Sequence, residues 1–277
     1  MCYSALVEAD IKKLTQRFGA VLKIEDFQNL DELHNINAKK FRTVSERIYP
    51  ETSYTPVLHL ENSKLVISPM RYGLYLSSQA EVIAKSIAEK TKARPTTYNA
   101  RRDNLNSPYW QNAFMQHHGF IQIKKFNEWV LVSHLLKAGV VSLEEVQGFF
   151  ADKTEKRKQE ILAKGKKYKA TATELKDPRF RQIEIIFSPE TEQELLVPVI
   201  FSEKALEEGL IDKGFAIVTD EPLLEVAAAG HDRSPVFLLE EDIKIWLSPM
   251  NKTTMELDKT LEKSSKIKFA HRLAESA

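Results

Sequence analysis

Alternating apolar and polar residues predict strands in several parts of the chain. The stretch "TPVLHLENSKLVIS" (55–68) is typical of two strands around a polar turn at 61–63. The stretch "HGFIQIKKFNEWVLV" (118–132) predicts one long strand that carries Glu128 and Trp129 near its end. Shorter strands are predicted at the N-terminus and at 183–188, 194–201 and 215–220.

Apolar residues at helical spacing predict helices between these strands. Leu6, Ile11, Leu14 and Phe18 indicate a first amphipathic helix after the N-terminal strand, whereas residues 19–50 are mixed and predicted to be rich in loops. Further helices are predicted at 80–92, where Pro95 follows as a break, at 203–213, and from Met255 to the end of the chain.

A charged, helical stretch interrupts the pattern of strands at 133–180. Ser142 and Glu145 form a capping-box pattern, and Lys and Glu dominate from there to Pro178. Strands on both sides of a helical block, without regular strand–helix alternation, favour an α+β fold on a largely antiparallel sheet. We therefore expect one β-rich domain over 1–277, with 133–180 as a helical insertion within it.

The composition is that of an ordinary globular protein of 277 residues. Hydrophobic residues make up 43% and charged residues 29%, and no apolar run approaches the roughly 20 residues of a membrane span. Glu8 and Asp10 stand where an export signal would have a basic stretch and an apolar core. The single cysteine permits no internal disulfide. These features predict a soluble, cytoplasmic protein with no membrane partner.

The formal net charge is only +1, so a polyanionic partner would have to be held by a local patch. The densest basic stretch is "KTEKRKQEILAKGKKYK" (153–169), with eight Lys or Arg against two Glu. Such a stretch fits a solvated helix face and a nucleic-acid contact equally well.

The one cysteine, Cys2, directly follows the initiator methionine. Removal of Met1 would place an α-amine and a thiol on the same residue. The α-amine has a pKa of about 7.7 to 8.0, against about 10.4 for lysine, so much more of it is neutral and nucleophilic near pH 7. The thiol can then close onto an imine formed by this amine, which gives a five-membered thiazolidine ring. By position alone, a buried small residue near a strand start is the simpler interpretation.

Three further stretches could complete such a site. "YNARRDN" supplies Asn99, which can orient a nucleophile or a carbonyl, and Arg101, which can hold a phosphate. "FNEWV" places Glu128 between aromatic residues, a setting that raises a carboxyl pKa and suits acid–base work. "AGHDRSPV" supplies His231 ahead of a turn. Each stretch alone also fits a structural role.

Taken in order, "MC", "NAR", "EW" and "HDR" with a following proline resemble the SOS-response-associated peptidase family, the abasic-site processing proteins. "MRYGL" (70–74) is similar to an Arg-Trp-Gly-Leu stretch of that family, and "FAIVTDEP" (215–222) to the strand before its histidine motif. "SPYWQNAF" (107–114) occupies the position between the Asn-Ala-Arg and Glu-Trp elements. The resemblance covers the chain except for about 133–180.

The resemblance implies a β-rich α+β fold with a basic groove for single-stranded DNA. It implies that Cys2 is the nucleophile that captures the aldehyde of an abasic site in a shielding thiazolidine crosslink, after autocatalytic removal of Met1. Asn99 would orient the nucleophile, Glu128 would serve the proton transfers, and His231 would assist ring opening and reversal. The implied enzyme is an autopeptidase with lyase-type crosslinking chemistry in the DNA damage response.

The resemblance also implies the partners. We expect a DNA-associated monomer that needs no metal or other cofactor, and Arg101 would hold a phosphate beside the lesion. The residues expected to contact DNA are Arg101, Arg102, Tyr72, Tyr109, Trp129 and Arg233.

Several positions depart from the family pattern. Tyr3 and Ser4 replace a glycine and an arginine, Asp103 stands for a glutamate, and Tyr75 and Leu76 stand for a tryptophan pair. The rim that contacts DNA is therefore expected to have changed, and the basic stretch 153–169 is the candidate for its replacement.

Two other functions remain open from the sequence. The Cys2 thiol could instead attack an amide with its own amine as base, as in N-terminal-nucleophile amidohydrolases. Alternatively, the chain could be a non-catalytic module that binds nucleic acid or protein, in which Cys2 is incidental.

Overall fold

The computed structural model describes residues 3–262 and 267–274. Within these ranges, twelve strands form one mixed sheet. The strands are β1 (Ser4–Val7), β2 (Val21–Leu22), β3 (Arg47–Ile48), β4 (Tyr54–Glu61), β5 (Lys64–Tyr72), β6 (Asn99–Arg101), β7 (His118–Leu131), β8 (Gln182–Pro189), β9 (Leu195–Ala205), β10 (Ile211–Asp220), β11 (Ser234–Pro235) and β12 (Phe269–Leu273).

The same ranges contain ten α-helices, joined in places by short 3-10 turns. The helices are α1 (Ile11–Phe18), α2 (Ile24–Ile36), α3 (Ser78–Thr91), α4 (Gln111–Phe114), α5 (Val132–Lys137), α6 (Leu143–Ala163), α7 (Ala172–Leu175), α8 (Leu224–Ala228), α9 (Ile243–Trp246) and α10 (Thr254–Glu262). The 3-10 turns are Arg102–Asn104, Pro178–Phe180, Glu207–Gly209, Glu240–Asp242 and Pro249–Asn251.

Five strands close on themselves as a barrel. The ring runs β10–β5–β4–β7–β9 and returns to β10. Its pairs are antiparallel except for β10 with β5, and β6 and β2 add two further parallel pairs at β10 and β5. The predicted α+β fold with a largely antiparallel sheet is therefore confirmed.

Strand β7 belongs to two parts of the sheet because it is 14 residues long. Its first half pairs with β4 and β9 inside the barrel. Its second half pairs with β1 on one side and β8 on the other, and β3 and β12 extend this outer region. Glu128 and Trp129 lie in this second half, opposite Ile185 and Glu184 of β8.

Two hydrophobic cores lie on opposite faces of the sheet, as the two-residue period of a strand requires. One core fills the barrel and continues between the outer strands and helices α5, α6 and α8; it includes Tyr72, Ile121, Phe215, Phe126 and Phe187. The other lies under the helices that cover the barrel, and includes Leu14, Ala84, Phe114, Trp246 and Leu257.

Most of the predicted elements are confirmed. The hairpin at 55–68 corresponds to β4 and β5, and the long strand at 118–132 corresponds to β7. The first helix follows a short N-terminal strand as predicted, and α3 covers the helix predicted at 80–92. Ser142 and Glu145 form the expected capping box at the start of α6.

Three predictions of secondary structure are wrong. Residues 19–50 contain the 13-residue helix α2, whose Leu30 and Leu33 pack against Tyr54. Residues 203–213 form a hairpin rather than a helix, because the end of β9 pairs with the start of β10. The terminal helix is described as far as Glu262, and residues 269–273, predicted to be helical, instead form β12, which pairs with β8.

The region 133–180 holds helices α5, α6 and α7 between the paired strands β7 and β8. Val132, Leu135, Val146 and Phe150 are buried in the core that fills the barrel. The status of this region as an insertion stays a prediction. Over the described ranges, no helix combines the length and apolar character needed to cross a membrane.

Candidate functional site

A cavity of about 810 Å³ opens between the second half of β7, strand β6, the end of β10 and the loop after α8. Its lining combines polar and charged side chains with an unusual number of aromatic rings. Pockets of this size are typical of small-molecule or nucleotide sites. The aromatic residues in the lining are Tyr3, Tyr98, Tyr109, Trp110 and Trp129.

Glu128 reaches this cavity from the centre of the sheet and is fully buried. Side chains alternate along β7, so Glu128 shares a face with Phe126 and Val130, which are both in the core. Burial raises the pKa of Glu128 well above its ordinary value, although a hydrogen bond from the backbone of Tyr3 acts in the opposite direction. The site therefore favours the neutral carboxylic acid.

His231 lies beside this carboxyl group, with its Nε2 atom 3.3 Å from Oε2 of Glu128. The turn that ends α8 sets its position: the His231 N–H donates to the carbonyl of Val226 at 3.1 Å, and Gly230 has a φ of +82°. Burial lowers the pKa of His231 and so favours the neutral imidazole.

The neighbours of His231 also select its tautomer. Nδ1 is 3.1 Å from the carbonyl oxygen of Arg233, and a carbonyl can only accept, so Nδ1 carries the proton. Nε2 is then an acceptor and faces the protonated carboxyl of Glu128. Two groups whose pKa values are displaced in opposite directions thus lie side by side, an arrangement suited to acid–base catalysis.

Asn99 enters the cavity from β6, which pairs in parallel with β10 at Ile217. Its side chain is buried, and the hydroxyl of Tyr72 donates to its Oδ1 at 3.2 Å. Tyr72 is completely buried and stacks on Phe215 at 5.3 Å between ring centroids. The prediction that Tyr72 contacts DNA is therefore wrong, because this side chain lies inside the barrel and holds Asn99.

The predicted arginines separate into two groups. Arg101 and Arg233 line the cavity. Arg101 forms two hydrogen bonds with Asp103, of 2.8 and 2.6 Å, and Arg233 lies 3.7 Å from Asp232.

Arg102 points elsewhere and is not part of the cavity lining. It bonds Asp220 at the end of β10 and forms two bonds with Asp258 of α10. Arg102 therefore joins parts of the fold through Asp220 and Asp258, whereas the sequence had led us to expect a contact with DNA.

Tyr109 and Trp129 both line the cavity, as their predicted role requires. Trp129 meets Tyr3 edge to face at 6.0 Å, and Nζ of Lys153 lies 6.0 Å from the Trp129 ring centroid. Trp129 therefore connects the cavity with helix α6.

Cys2, the expected nucleophile, lies outside the described residues. The described chain begins with Tyr3, which lines the cavity, and its N–H donates to the carbonyl of Asn127 at 3.2 Å. The strand that follows pairs Ser4 with Asn127, next to Glu128.

Sequence reasoning missed several residues of the cavity wall. Tyr98 and Asp232 lie inside the stretches "YNARRDN" and "AGHDRSPV", but no role in the site was predicted for them. Gln182 and Thr219 carry no such signal, because they come to the cavity only through strand pairing. In the part of the chain that the structure describes, no group of three or more His, Cys, Asp or Glu side chains is placed to hold a metal ion.

Solved structures with the same fold exist. A protein from Bordetella bronchiseptica matches with a TM-score of 0.60 and 12% identity, over 99% of this chain and 100% of that chain. A protein from Bacteroides thetaiotaomicron matches with a TM-score of 0.56 and 14% identity, over 98% and 91%. A phage-related protein from Bordetella bronchiseptica has a TM-score of 0.50 and 13% identity, over 90% and 91%. At these identities the likeness concerns the fold.

A search of curated proteins finds no significant match. The model of the SOS response associated peptidase family matches residues 1–274. This range contains the cavity with Asn99, Glu128 and His231. The chain therefore belongs to the SOS response associated peptidase family.

Proposed function

We propose that this protein binds single-stranded DNA and links itself to abasic sites through Cys2, after Met1 has been removed. One observation carries the proposal: Asn99, Glu128 and His231 line a single cavity together with Tyr3, the residue that follows Cys2 in the chain. Three motifs that are spread over residues 99–231 thus meet beside Tyr3.

The proposed reaction joins three functional groups and releases one water. The α-amine of Cys2 adds to the aldehyde carbon of the ring-opened sugar, and the resulting carbinolamine loses water to give an imine. The Cys2 thiol then adds to the imine carbon while its proton passes to nitrogen, which closes the thiazolidine ring. No oxidant or reductant is needed. Hydrolysis of the Met1–Cys2 peptide bond must come first, because the amine is otherwise locked in an amide.

The described residues supply the proton transfers for these steps. Glu128, held as a neutral acid by its burial, donates to the oxygen that leaves as water. Neutral His231 accepts from the attacking group through Nε2, since its Nδ1–H faces the carbonyl of Arg233. Tyr72 donates to Oδ1 of Asn99 and so fixes the orientation of the amide, whose N–H groups are the donors that we propose for the sugar or aldehyde oxygen.

Other parts of the cavity suit the strand on either side of the lesion. Arg101 is well exposed at the rim, and a guanidinium binds phosphate in the same two-point manner in which Arg101 now binds Asp103. Trp129 offers an aromatic surface for a neighbouring base, whereas Tyr109 also lines the cavity but is largely buried against Trp110.

The test is direct because the adduct is covalent. Intact mass should show that purified protein lacks Met1, and incubation with an oligonucleotide containing an abasic site should give a product whose mass is the sum of both minus one water. Cys2→Ala, which keeps an α-amine but has no thiol, should give no product in the absence of a reductant. Cys2→Ser keeps the amine but lacks the thiol, so it should give an adduct only when the imine is trapped by borohydride.

Two outcomes would overturn the proposal. The first is fully processed protein that gives no adduct with abasic DNA. The second is a Cys2→Ser variant that forms the stable adduct without reductant, because the thiol would then have no part in ring closure. Thiol-dependent amide hydrolysis in the absence of any adduct would instead identify an N-terminal-nucleophile amidohydrolase.

A further inference from the structure

The most basic feature of the molecule lies beside the cavity rather than inside it. Residues 153–169, here called the basic arm, hold eight Lys or Arg against two Glu, which is a formal charge of +6. The whole chain has a formal charge of only +1, so the rest of the protein is net negative. A polyanion that touches this protein therefore meets its strongest attraction at the arm.

The arm is anchored at the rim of the cavity. Lys153, its first residue, has its Nζ atom 6.0 Å from the Trp129 ring centroid and 5.8 Å from that of Phe149. One turn earlier in α6, Phe150 is buried and lies under the Arg181 guanidinium at 3.4 Å. A base stacked on Trp129 would consequently leave its neighbouring phosphate close to Lys153.

From this anchor the helix continues away from the core. None of the described residues of α6 after Phe150 is buried. Lys153, Lys156 and Lys164 follow one another at spacings that keep them on one side of the helix. The path from Lys153 to Lys164 is about 16 Å at 1.5 Å per residue, which is about the rise of five stacked nucleotides at 3.4 Å each.

The far end of the arm is folded rather than loose. Gly165 takes a φ of +68°, and the Lys166 N–H closes the helix on the carbonyl of Ile161 at 3.1 Å. Tyr168 lies under the guanidinium of Arg157 at 5.4 Å, and Arg157 also bonds Glu174 of α7. The exposed side chains of Lys164, Lys166 and Lys167 are thus presented from a fixed turn.

The cations of the cavity rim have carboxylates beside them, and so do two cations of the arm, since Arg157 bonds Glu174 and Lys158 lies 3.3 Å from Glu155. Arg101 is held by Asp103, and Arg233 has Asp232 beside it. A phosphate at the rim must compete with these carboxylates, whereas the arm keeps a formal excess of six positive charges over its own acidic residues.

We propose that the basic arm binds the phosphodiester backbone of single-stranded DNA that leaves the cavity past Trp129. That the DNA strand leaves from the cavity rests on the proposed function. The basic arm adds to the cavity a second contact surface for DNA, about five nucleotides long. Because each phosphate neutralised on a single strand releases condensed counterions, the arm contributes a dependence on salt and on strand length that the cavity alone does not have.

The experiment compares two triple variants that remove the same charge. In the arm variant, Lys164, Lys166 and Lys167 become Gln; in the control variant, the exposed Lys12, Lys39 and Lys64 become Gln. Binding to undamaged single strands of about 5 and about 20 nucleotides is measured over a range of salt concentrations. Undamaged strands keep this test separate from covalent linkage, which is followed by the mass of the abasic-site adduct.

For the long strand, the arm variant should lower the slope of log affinity against log salt by about 2, and weaken binding by up to about 100-fold at 0.1 M salt. The control variant should show little change with either strand, and both variants should still form the abasic-site adduct. The proposal is overturned if the arm variant binds the long strand with the wild-type affinity and slope. It is equally overturned if the control variant loses as much, since net charge rather than the arm would then be responsible.

Discussion

At the scale of single residues, the central feature is a buried carboxyl group and an imidazole that lie 3.3 Å apart. Burial displaces the pKa of Glu128 upward and that of His231 downward, so both groups favour their neutral forms. Once the acid has donated its proton and the imidazole has accepted one, the pair is a carboxylate and an imidazolium 3.3 Å apart, with the roles of acid and base exchanged. A reversible condensation needs this property, because each forward proton transfer must also run backward.

Replacement of Glu128 by Gln should show this effect in both rate and stability. Between its ordinary and its native pKa, wild-type Glu128 keeps a proton that the unfolded chain has lost, so the free energy of unfolding falls as pH rises. Glu128→Gln removes that slope. Its stability relative to wild type should therefore increase by about 1.4 kcal/mol per pH unit in this window, while adduct formation slows by about 10²- to 10⁴-fold.

Urea unfolding at pH values above about 6.5 isolates this contribution, because there both the native and the unfolded state hold His231 mainly neutral. If the free energy of unfolding of Glu128→Gln had the same pH dependence as that of wild type, burial would not raise the pKa of Glu128.

Tyr72→Phe tests how Asn99 is positioned. The change removes the hydroxyl that donates to Oδ1 but keeps the ring that stacks on Phe215, so we expect a loss of about 1 kcal/mol in unfolding free energy. The linking rate should fall towards that of Asn99→Ala while strand affinity stays unchanged. If strand affinity fell and the linking rate of bound protein did not, Tyr72 would have to be exposed to DNA.

The outcome for these residues shows what a sequence can and cannot reveal. Asn99, Glu128 and His231 were identifiable because each lies in a short motif and the motifs occur in a particular order. Tyr72 also lies in such a motif. The direction of its side chain, however, depends on the closure of the barrel, which places Tyr72 on the inner face of β5. A linear pattern does not contain that information.

At the scale of elements, helix α5 supports the loop that carries His231. Gly230 packs directly on His134: a Cβ atom built at Gly230 would lie 2.5 Å from Cβ of His134. Gly230 also adopts a φ of +82°, which favours glycine. Helix α5 follows β7 without a break. The segment made of β7 and α5 therefore carries Glu128 at one end and, through His134, supports the loop with His231 at the other.

Gly230→Ala should therefore disturb catalysis as well as stability. Gly139 offers a matched control, because its φ is +68° and nothing lies within 4 Å of a Cβ built there. Each change should cost about 1 to 2 kcal/mol for its backbone conformation. Only Gly230→Ala should also move the His231 loop and reduce the linking rate; equal rates in the two variants at a temperature where both are folded would contradict the role given to His134.

Elements were predictable where local signals agree with the tertiary fold. The capping box of α6 and the turn between β4 and β5 are local, and Asn62 and Ser63 adopt the positive φ values that a tight hairpin needs. The charged residues 203–213 favour a helix by composition, but their pairing across β9 and β10 prevails. Helix α2 lacks a side-chain cap and is held mainly by Leu30 and Leu33 against the barrel, so its start has no clear signal.

At the scale of the whole molecule, Arg102 ties the C-terminal helix α10 to the sheet. It joins Asp258 of α10 to Asp220 at the end of β10, and its side chain is only 19% exposed. Its chain neighbour Arg101 points into the cavity instead. Two adjacent arginines thus serve the fold and the site separately.

The variants Arg102→Ala and Arg101→Ala should consequently have opposite effects. Arg102→Ala should lower the unfolding free energy by about 1 to 2 kcal/mol and leave DNA affinity unchanged. Arg101→Ala should leave stability within about 0.5 kcal/mol of wild type and weaken strand binding, with a smaller salt slope. Thermal unfolding and a binding titration on each variant distinguish these expectations, and a loss of DNA affinity in Arg102→Ala would restore it as a DNA contact.

Strand β7 belongs to both the barrel and the outer sheet. This arrangement determines whether the protein or the DNA strand has to change shape when the two bind. Its second half has β1 on one side and β8 on the other, so the backbone that carries Glu128 is fixed from both directions. Such a backbone should be among the slowest in the protein to exchange its amide hydrogens with solvent. The acid cannot travel to its substrate, and the conformational adaptation of the encounter must fall on the DNA strand, which has to unstack and present the lesion to a preorganised site.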